Sequence, residues 1–144
     1  MSDLNQHPLI LKYCEANRFG DYIGMHFHIE QPGVVDYRLK ITEKHLATPK
    51  SVHGGVIAGL MDAIVGVGAL SCVCSEDKVV STVEMKISFL RPVALNDELF
   101  GVSAVLKAGK RLLFIEGKIY NQREELIAAA TSTMNAYPKE KAGY

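Results

Sequence analysis

Apolar and polar residues alternate along most of the chain with a period of two, the spacing of β-strands that bury one face. After the Pro32-Gly33 turn, for example, every second residue from Val35 to Ile41 is apolar. Six such runs predict a sheet of five or six strands. In the run that begins at Val79, we expect the polar residues Thr82, Glu84, Lys86 and Ser88 on the solvent-exposed face. The apolar positions are Ile23, Met25, Phe27 and Ile29; Val35, Tyr37, Leu39 and Ile41; Val79, Val83, Met85, Ile87 and Phe89; Phe100, Val102, Ala104 and Leu106; Leu113, Ile115 and Ile119; and a last strand over about 126–137.

Two stretches depart from this alternation and predict helices. A short N-terminal helix should have Pro8 in its first turn and should end over Asn17 to Gly20. The run from Val56 to Cys74 is apolar almost all round and is long enough to span a membrane. Its central Asp62, its small residues and the lack of a flanking aromatic or basic belt favour a helix buried inside a soluble protein.

These elements together predict an α+β fold. A long helix that is apolar on all sides is shielded from water when a sheet curves around it. We therefore expect one long central helix wrapped by a curved antiparallel sheet of five or six strands, plus a short N-terminal helix. Such a sheet leaves edge strands that a second copy would cover, so we expect at least a dimer.

The composition is that of an ordinary globular protein. Its 144 residues predict one domain over 1–144, and 16 basic against 16 acidic residues leave no net charge to attract nucleic acid or an anionic membrane. Three cysteines, Cys14, Cys72 and Cys74, are too few for a structural zinc site, and we interpret them as reduced thiols. The N-terminus lacks the pattern of a secretory signal. We expect a cytoplasmic protein.

Asp62 is the main candidate for chemistry, because a carboxylate in so apolar a run is costly unless something compensates it. At helical spacing it shares a stripe with small residues and should stand in a groove that another group approaches closely. The alternative is a structural hydrogen bond to a neighbouring backbone. The small residues of the stripe are Gly55, Gly59, Gly66 and Ala69.

The start of the same helix offers a second candidate, the sequence His53-Gly54-Gly55. First-turn N–H groups have no helical partner and lie at the positive end of the helix dipole, so they suit an oxyanion or a carbonyl oxygen. A simple helix-start turn is the alternative. Because nine residues of helix correspond to about 13 Å, a site that uses both His53-Gly54-Gly55 and Asp62 needs two copies of the chain.

These residues resemble a known family. The segments HGGVIAGLMDAIVG, STVEMKISFLRPVALNDEL and KAGKRLLF together resemble the hotdog-fold acyl-CoA thioesterases, specifically the phenylacetate-pathway (PaaI-like) branch, over about residues 20–137. The resemblance implies a hotdog fold and dimers that pair into homotetramers. It also implies hydrolysis of an aryl- or short/medium-chain acyl-CoA to the free acid and CoA, in a site shared between subunits and without a metal or other cofactor.

The resemblance further implies roles for individual residues. The N–H of Gly54 would polarise the thioester carbonyl, and Asp62 of the partner subunit would act as general base or nucleophile. Thr82 would lie near the attacking water, and Arg91 near the CoA nucleotide. The predicted substrate-binding residues are His53, Gly55, Thr82 and Arg91.

Two positions depart from the family pattern. Ala47 replaces an Asn or Gln six residues before the His, and Lys50 replaces a Gly three residues before it. Two other functions stay open, the first of them because of Ala47. One is a non-catalytic acyl-CoA-binding or sensing protein, and the other is an acyl-thioester hydratase or dehydratase, whose acid and base residues lie in different motifs.

Other polar side chains have weaker functional interpretations. His26 and His28 share a strand face but lack an evident third ligand, so we favour a solvated face over a metal site. Lys107, Lys110 and Arg111 cluster at a turn, where they either contact CoA phosphates or are simply solvated.

Overall fold

The structure, a computed structural model, describes residues 2–144. After a 3₁₀ turn, two short helices follow each other: α1 (Pro8–Ala16) and α2 (Arg18–Ile23). The side chain of Asn17 accepts a hydrogen bond from Gly20 N–H at 3.0 Å and so caps the start of α2. The predicted N-terminal helix does end where expected, at Ala16 with Asn17 as its C-cap. The second helix, α2, was not predicted, and Ile23 belongs to it rather than to the first strand.

Six long antiparallel strands form one sheet, which confirms the predicted number. The sheet order is β1-β2-β6-β7-β8-β5. A separate two-stranded hairpin, β3 with β4, was not predicted and lies directly before the long helix. The strands are β1 (His26–Gln31), β2 (Val34–Lys40), β3 (Leu46–Thr48), β4 (Ser51–Val52), β5 (Lys78–Phe89), β6 (Glu98–Ala108), β7 (Leu112–Asn121) and β8 (Leu126–Pro138).

The long helix α3 (Gly54–Val73) is the centre of the fold and touches every strand of the sheet. It approaches the sheet closely at two glycines, since a Cβ on Gly101 would collide with Ile64 and a Cβ on Gly117 with Met61. By length and composition this helix could cross a membrane, but 67% of its most apolar window is buried within the fold. The predicted hotdog architecture, a helix wrapped by an antiparallel sheet, is confirmed.

A β-bulge in β5 reverses the predicted faces of two residues. The pairing of β5 with β8 shifts between Thr82 and Glu84, which leaves Val83 unpaired. An extra residue in one strand moves its neighbours to the opposite face. Thr82 therefore points toward α3, although the alternation placed it on the wet face, and Val83 is 59% exposed although it was predicted to be buried.

Strand β6 also turns the opposite face inward from the one predicted. Leu99, Gly101 and Ser103 are buried against α3. Gly101 must face the helix because a side chain there would collide with Ile64, and this fixes the facing of the whole strand. The predicted buried face, which consists of Phe100, Val102, Ala104 and Leu106, is instead the outer face of the sheet.

The turn between β1 and β2 is fastened to α3. Gly33, with φ +84°, donates its N–H to Ser71 Oγ at 2.8 Å and accepts from Ser103 Oγ at 2.9 Å. A Cβ at this position would overlap Val105. The turn therefore requires glycine for both its backbone conformation and its space.

Candidate active site

Asp62 lies on the exposed side of α3, so its charge is not buried in the core. Thr82 on β5 donates a hydrogen bond from Oγ1 to Asp62 Oδ1 at 2.6 Å. Within residues 2–144, no other group donates to Asp62. The carboxylate is thus held through one oxygen, while Oδ2 remains available to a ligand. This contact exists because the bulge at Val83 turns Thr82 toward the helix.

Asp62 and Thr82 line a cavity of about 440 Å³. Two small residues of the predicted stripe, Gly59 and Gly66, line it as well, which confirms the groove expected beside the carboxylate. Ala69 is fully buried elsewhere. The remaining walls are mostly apolar, and a largely apolar cavity with few polar groups is typical of a small-molecule site. The apolar and aromatic residues of these walls include Leu9, Tyr13, Phe19, Met25, Tyr137 and Tyr144.

The start of α3 presents one unused N–H group. His53 is the N-cap, and its Nδ1 accepts a hydrogen bond from Gly55 N–H at 2.7 Å. The ring therefore fixes the helix start. Among residues 2–144, no group accepts a hydrogen bond from Gly54 N–H. At this helix start, Gly54 is thus the residue whose N–H can bind a ligand oxygen.

Gly54 and Arg91 meet at a different cavity, of about 400 Å³. Arg91 donates from Nη1 to Leu126 O at 2.9 Å, and its Nε lies 3.7 Å from Glu125 Oε2. The guanidinium is exposed and has five N–H donors, so several remain for an anionic ligand. A cation and the residue with the unused N–H therefore line the same cavity.

The predicted site residues thus form two pairs in one chain. Asp62 with Thr82 lines one cavity, and Gly54 with Arg91 lines the other. Gly54 and Asp62 are separated by eight residues of α3, about 12 Å along the helix axis. This separation agrees with the expectation that one chain does not bring both groups to the same substrate. Each chain carries two half-sites of complementary chemistry, a carboxylate and a hydrogen-bond donor with a cation.

The positions that depart from the family pattern lie on the small hairpin before α3. Ala47 and Lys50 are exposed, and neither lines the cavity of Asp62 or that of Gly54. The hairpin instead contributes Ser51 to the Gly54 cavity, where its Oγ lies 2.7 Å from Thr48 Oγ1. Sequence reasoning missed Ser51, because the hairpin itself was not predicted.

The weaker candidates lie away from both half-sites. His26 and His28 are exposed on β1, and His28 Nε2 lies 3.9 Å from Glu30 Oε1. In the described part of the chain, no three His, Cys, Asp or Glu side chains are grouped to hold a metal ion. The basic residues of the β6–β7 turn, namely Lys107, Lys110 and Arg111, line neither cavity.

The aromatic walls of the Asp62 cavity were also missed from the sequence. Tyr13 and Phe19 come from the N-terminal helices, whereas Tyr137 and Tyr144 come from the C-terminal end. No spacing rule joins two segments so distant in sequence. The family resemblance, which began at about residue 20, gave these walls no role.

Comparisons with known proteins identify the family of this chain. The model of the thioesterase superfamily matches residues 50–128. Human acyl-coenzyme A thioesterase 13 is 31% identical over 104 residues, which cover 71% of this chain and 72% of that protein. The medium/long-chain acyl-CoA thioesterase YigI of Escherichia coli K12 is 24% identical over 94 residues, covering 57% of this chain and 60% of that protein.

A solved structure shares the fold. The E. coli PaaI protein from the phenylacetic acid degradation operon superposes with a TM-score of 0.83 at 20% identity, covering 94% of each chain. The superfamily match spans more than half of the chain and includes Gly54, Asp62, Thr82 and Arg91. By this match and by its relatives, the chain belongs to the thioesterase superfamily, and the predicted enzyme class, a thioester hydrolase, is confirmed.

Proposed function

We propose that this protein hydrolyses acyl-CoA thioesters to the free acid and CoA, in a site that two copies of the chain build together. The observation that carries the proposal is the 2.6 Å hydrogen bond from Thr82 to Asp62 at the edge of a largely apolar cavity. A carboxylate held at one oxygen and open at the other suits a general base or a nucleophile. The names of the relatives supply the acyl-CoA substrate class. Apolar and aromatic walls favour an aryl or short- to medium-chain acyl group.

The chemistry follows from the two half-sites. Asp62 Oδ2 removes a proton from water as the water oxygen attacks the thioester carbonyl carbon, or Oδ2 attacks that carbon itself. The carbonyl oxygen then becomes an oxyanion, and the N–H of Gly54 of the partner subunit donates a hydrogen bond to it. Collapse of the intermediate breaks the C–S bond, and the CoA thiolate leaves. On the first route the thiolate takes the proton that Asp62 removed from water, and the free acid is released. On the second route the thiolate is protonated by solvent, and the acyl group stays on Asp62 as an anhydride, which water then hydrolyses to the free acid. The hydrogen bond from Thr82 holds the Asp62 carboxylate in the same orientation throughout the reaction.

A dimer through β5 would assemble these groups. Strand β5 lies at the edge of the sheet and carries exposed apolar side chains, including Phe89, which is 54% exposed. Pairing two such edges around a twofold axis covers them and sets the two α3 helices side by side in opposite directions. A Cβ on Gly54 would lie only 3.7 Å from the Phe89 ring, so this edge borders the Gly54 half-site. Two dimers then pair into a homotetramer.

The remaining predicted residues fit the same proposal. Arg91 binds the phosphates of the CoA nucleotide, since a guanidinium recognises phosphate oxygens well. His53 and Gly55 hold the loop that presents Gly54 to the thioester. The reaction uses a carboxylate and a backbone N–H, so it needs no metal or other cofactor. A CoA-ester substrate fits a cytoplasmic enzyme.

The test is release of free thiol from a panel of aryl- and alkyl-acyl-CoAs. Asp62→Asn and Asp62→Ala should each lower kcat by roughly 10²- to 10⁴-fold, whereas Glu116→Gln, on the outer face of the sheet, should leave it unchanged. Full turnover in both Asp62 variants would remove this residue from the mechanism. Tight binding without turnover by the unaltered protein would favour the sensor function, and hydration of enoyl-CoA without thiol release would favour the hydratase.

A further inference from the structure

A second cavity adjoins the one that contains Asp62. It measures about 280 Å³ and shares two lining residues, Asn17 and Met25, with the Asp62 cavity of about 440 Å³. It lies between the N-terminal helices and strands β1 and β2, and its lining is mixed: Ile10 and Phe27 are apolar, whereas Asn5 and Asp21 are polar. The superfamily match, over residues 50–128, contains none of its lining residues. The proposed mechanism leaves this cavity unused.

Tyr13 stands at the boundary between the two cavities. Its side chain lines the Asp62 cavity, and its ring centroid lies 6.2 Å from that of Phe27, which lines the second cavity. Asn17 donates from Nδ2 to Tyr13 Oη at 3.1 Å. The same Asn17 side chain accepts a hydrogen bond from Gly20 N–H, so it is itself fixed by the start of α2. The Tyr13 ring is therefore held in place as a wall.

We propose that Tyr13 is a specificity-determining residue, which sets the maximum length of the acyl group by closing the Asp62 cavity against the second cavity. The inference rests on the proposed function, because it places the acyl group in the cavity beside Asp62. An acyl chain that fills this cavity ends at the Tyr13 ring. Removing the ring would open a further 280 Å³, in which additional methylene groups would be removed from water against the apolar part of its wall, namely Ile10, Met25 and Phe27.

The test compares chain lengths in Tyr13→Ala and Tyr13→Leu. The measured quantity is kcat/KM for straight-chain acyl-CoAs from butanoyl to hexadecanoyl. In both variants, kcat/KM for tetradecanoyl-CoA divided by kcat/KM for octanoyl-CoA should rise by roughly tenfold or more, because each additional methylene group that the site accommodates contributes to transition-state binding. Because this ratio compares two substrates on the same protein, loss of some protein to unfolding does not alter it. Tyr13→Leu keeps an apolar side chain on α1 in case Tyr13→Ala folds poorly.

Two control variants test whether the Tyr13 ring itself, rather than any substitution in α1, sets the chain-length preference. Tyr13→Phe loses the bond from Asn17 but keeps the ring, so the chain-length profile should stay that of the unaltered protein. Leu11→Ala removes an exposed side chain of α1 that lines neither cavity, and it should also leave the profile unchanged. An unchanged ratio in both Tyr13→Ala and Tyr13→Leu would overturn the proposal, as would an equal rise in Leu11→Ala.

A binding series distinguishes this inference from the proposed function. Calorimetry with non-hydrolysable acyl-CoA thioethers of the same chain lengths measures Kd without turnover. If the unaltered protein releases no thiol from any substrate, the proposed function fails, while a shift of the Kd profile toward longer chains in Tyr13→Ala still supports the role of Tyr13. An unshifted Kd profile, or no binding at any chain length, refutes that role whatever the outcome of the turnover assay.

Discussion

Replacing Gly54 with proline removes one hydrogen-bond donor and should change little else. Gly54 is the first residue of α3, and its N–H has no acceptor among residues 2–144. Proline is favoured at a first helical position, where its missing N–H has no helical partner in any case. The preceding residue, His53, has φ −64° and ψ 131°, the extended conformation preferred before proline. The helix should therefore start as before.

The expected effect is on catalysis and not on stability. A Cβ at position 54 would lie 3.7 Å from the Phe89 ring, an ordinary contact, so the free energy of unfolding should change by less than about 1 kcal/mol. Loss of one donor to the oxyanion should lower kcat by roughly 10²- to 10³-fold. Gly54→Ala is the matched control, because it adds a Cβ and retains the N–H.

Thiol-release kinetics and urea unfolding measure the two quantities on the same preparations. The reasoning predicts that Gly54→Pro has a much lower kcat than Gly54→Ala at similar stability. If the two variants turn over acyl-CoA equally well, Gly54 N–H does not stabilise the transition state, and the helix-start half-site has been assigned wrongly.

Three further substitutions test the local geometry. Thr82→Val should lower kcat by about tenfold, because Asp62 loses the bond that orients it, and Thr82→Ser should restore the rate; equal kcat in the valine and serine variants would argue against that role. Gly33→Ala should lower the free energy of unfolding by about 2–4 kcal/mol, because it combines strain at φ +84° with overlap against Val105. The control is Gly143→Ala, which has φ +87° but open space around it and should cost about 1 kcal/mol in the same urea titration. Similar losses in the two variants would mean that overlap with Val105 is not the cause. Tyr37→Phe should change the free energy of unfolding by less than about 1 kcal/mol, because the buried Tyr37 hydroxyl makes no hydrogen bond of good geometry within residues 2–144 and has only the Tyr13 hydroxyl as a neighbouring partner. A larger loss in the urea titration would show that the contact with Tyr13 is a stabilising bond.

The fold could be predicted because its main signal is regular. Period-two alternation marked six strands, and one helix that is apolar on all sides required a sheet around it. The errors in detail came from β5 and β6. A bulge adds one residue and reverses which face its neighbours point to. Thr82 and Val83 therefore face the opposite sides from those predicted, although the alternation in the sequence shows no break there. In β6 the need for Gly101 beneath Ile64 decided which side faced inward, against the apolar pattern.

The candidate site was predictable in its residues and only partly in its surroundings. Asp62 stood out as a charge in an apolar run, and helix geometry alone separated it from Gly54. The Thr82 contact with Asp62 could not be derived from alternation, which placed Thr82 on the wrong face; the family resemblance named Thr82 for this region. Tyr13 could not be foreseen, because its place beside Asp62 depends on how the N-terminal helices pack across the sheet.

Mixing two inactive variants tests the shared site most directly. Asp62→Asn and Gly54→Pro homodimers are each expected to be nearly inactive, but a mixed dimer contains one site with an intact Asp62 facing an intact Gly54. After subunit exchange in a one-to-one mixture, about a quarter of the unaltered thioesterase activity should return, since half of the dimers are mixed and each has one working site. If no activity returns although mass spectrometry shows mixed dimers, both groups must act within one chain, and the shared site is contradicted.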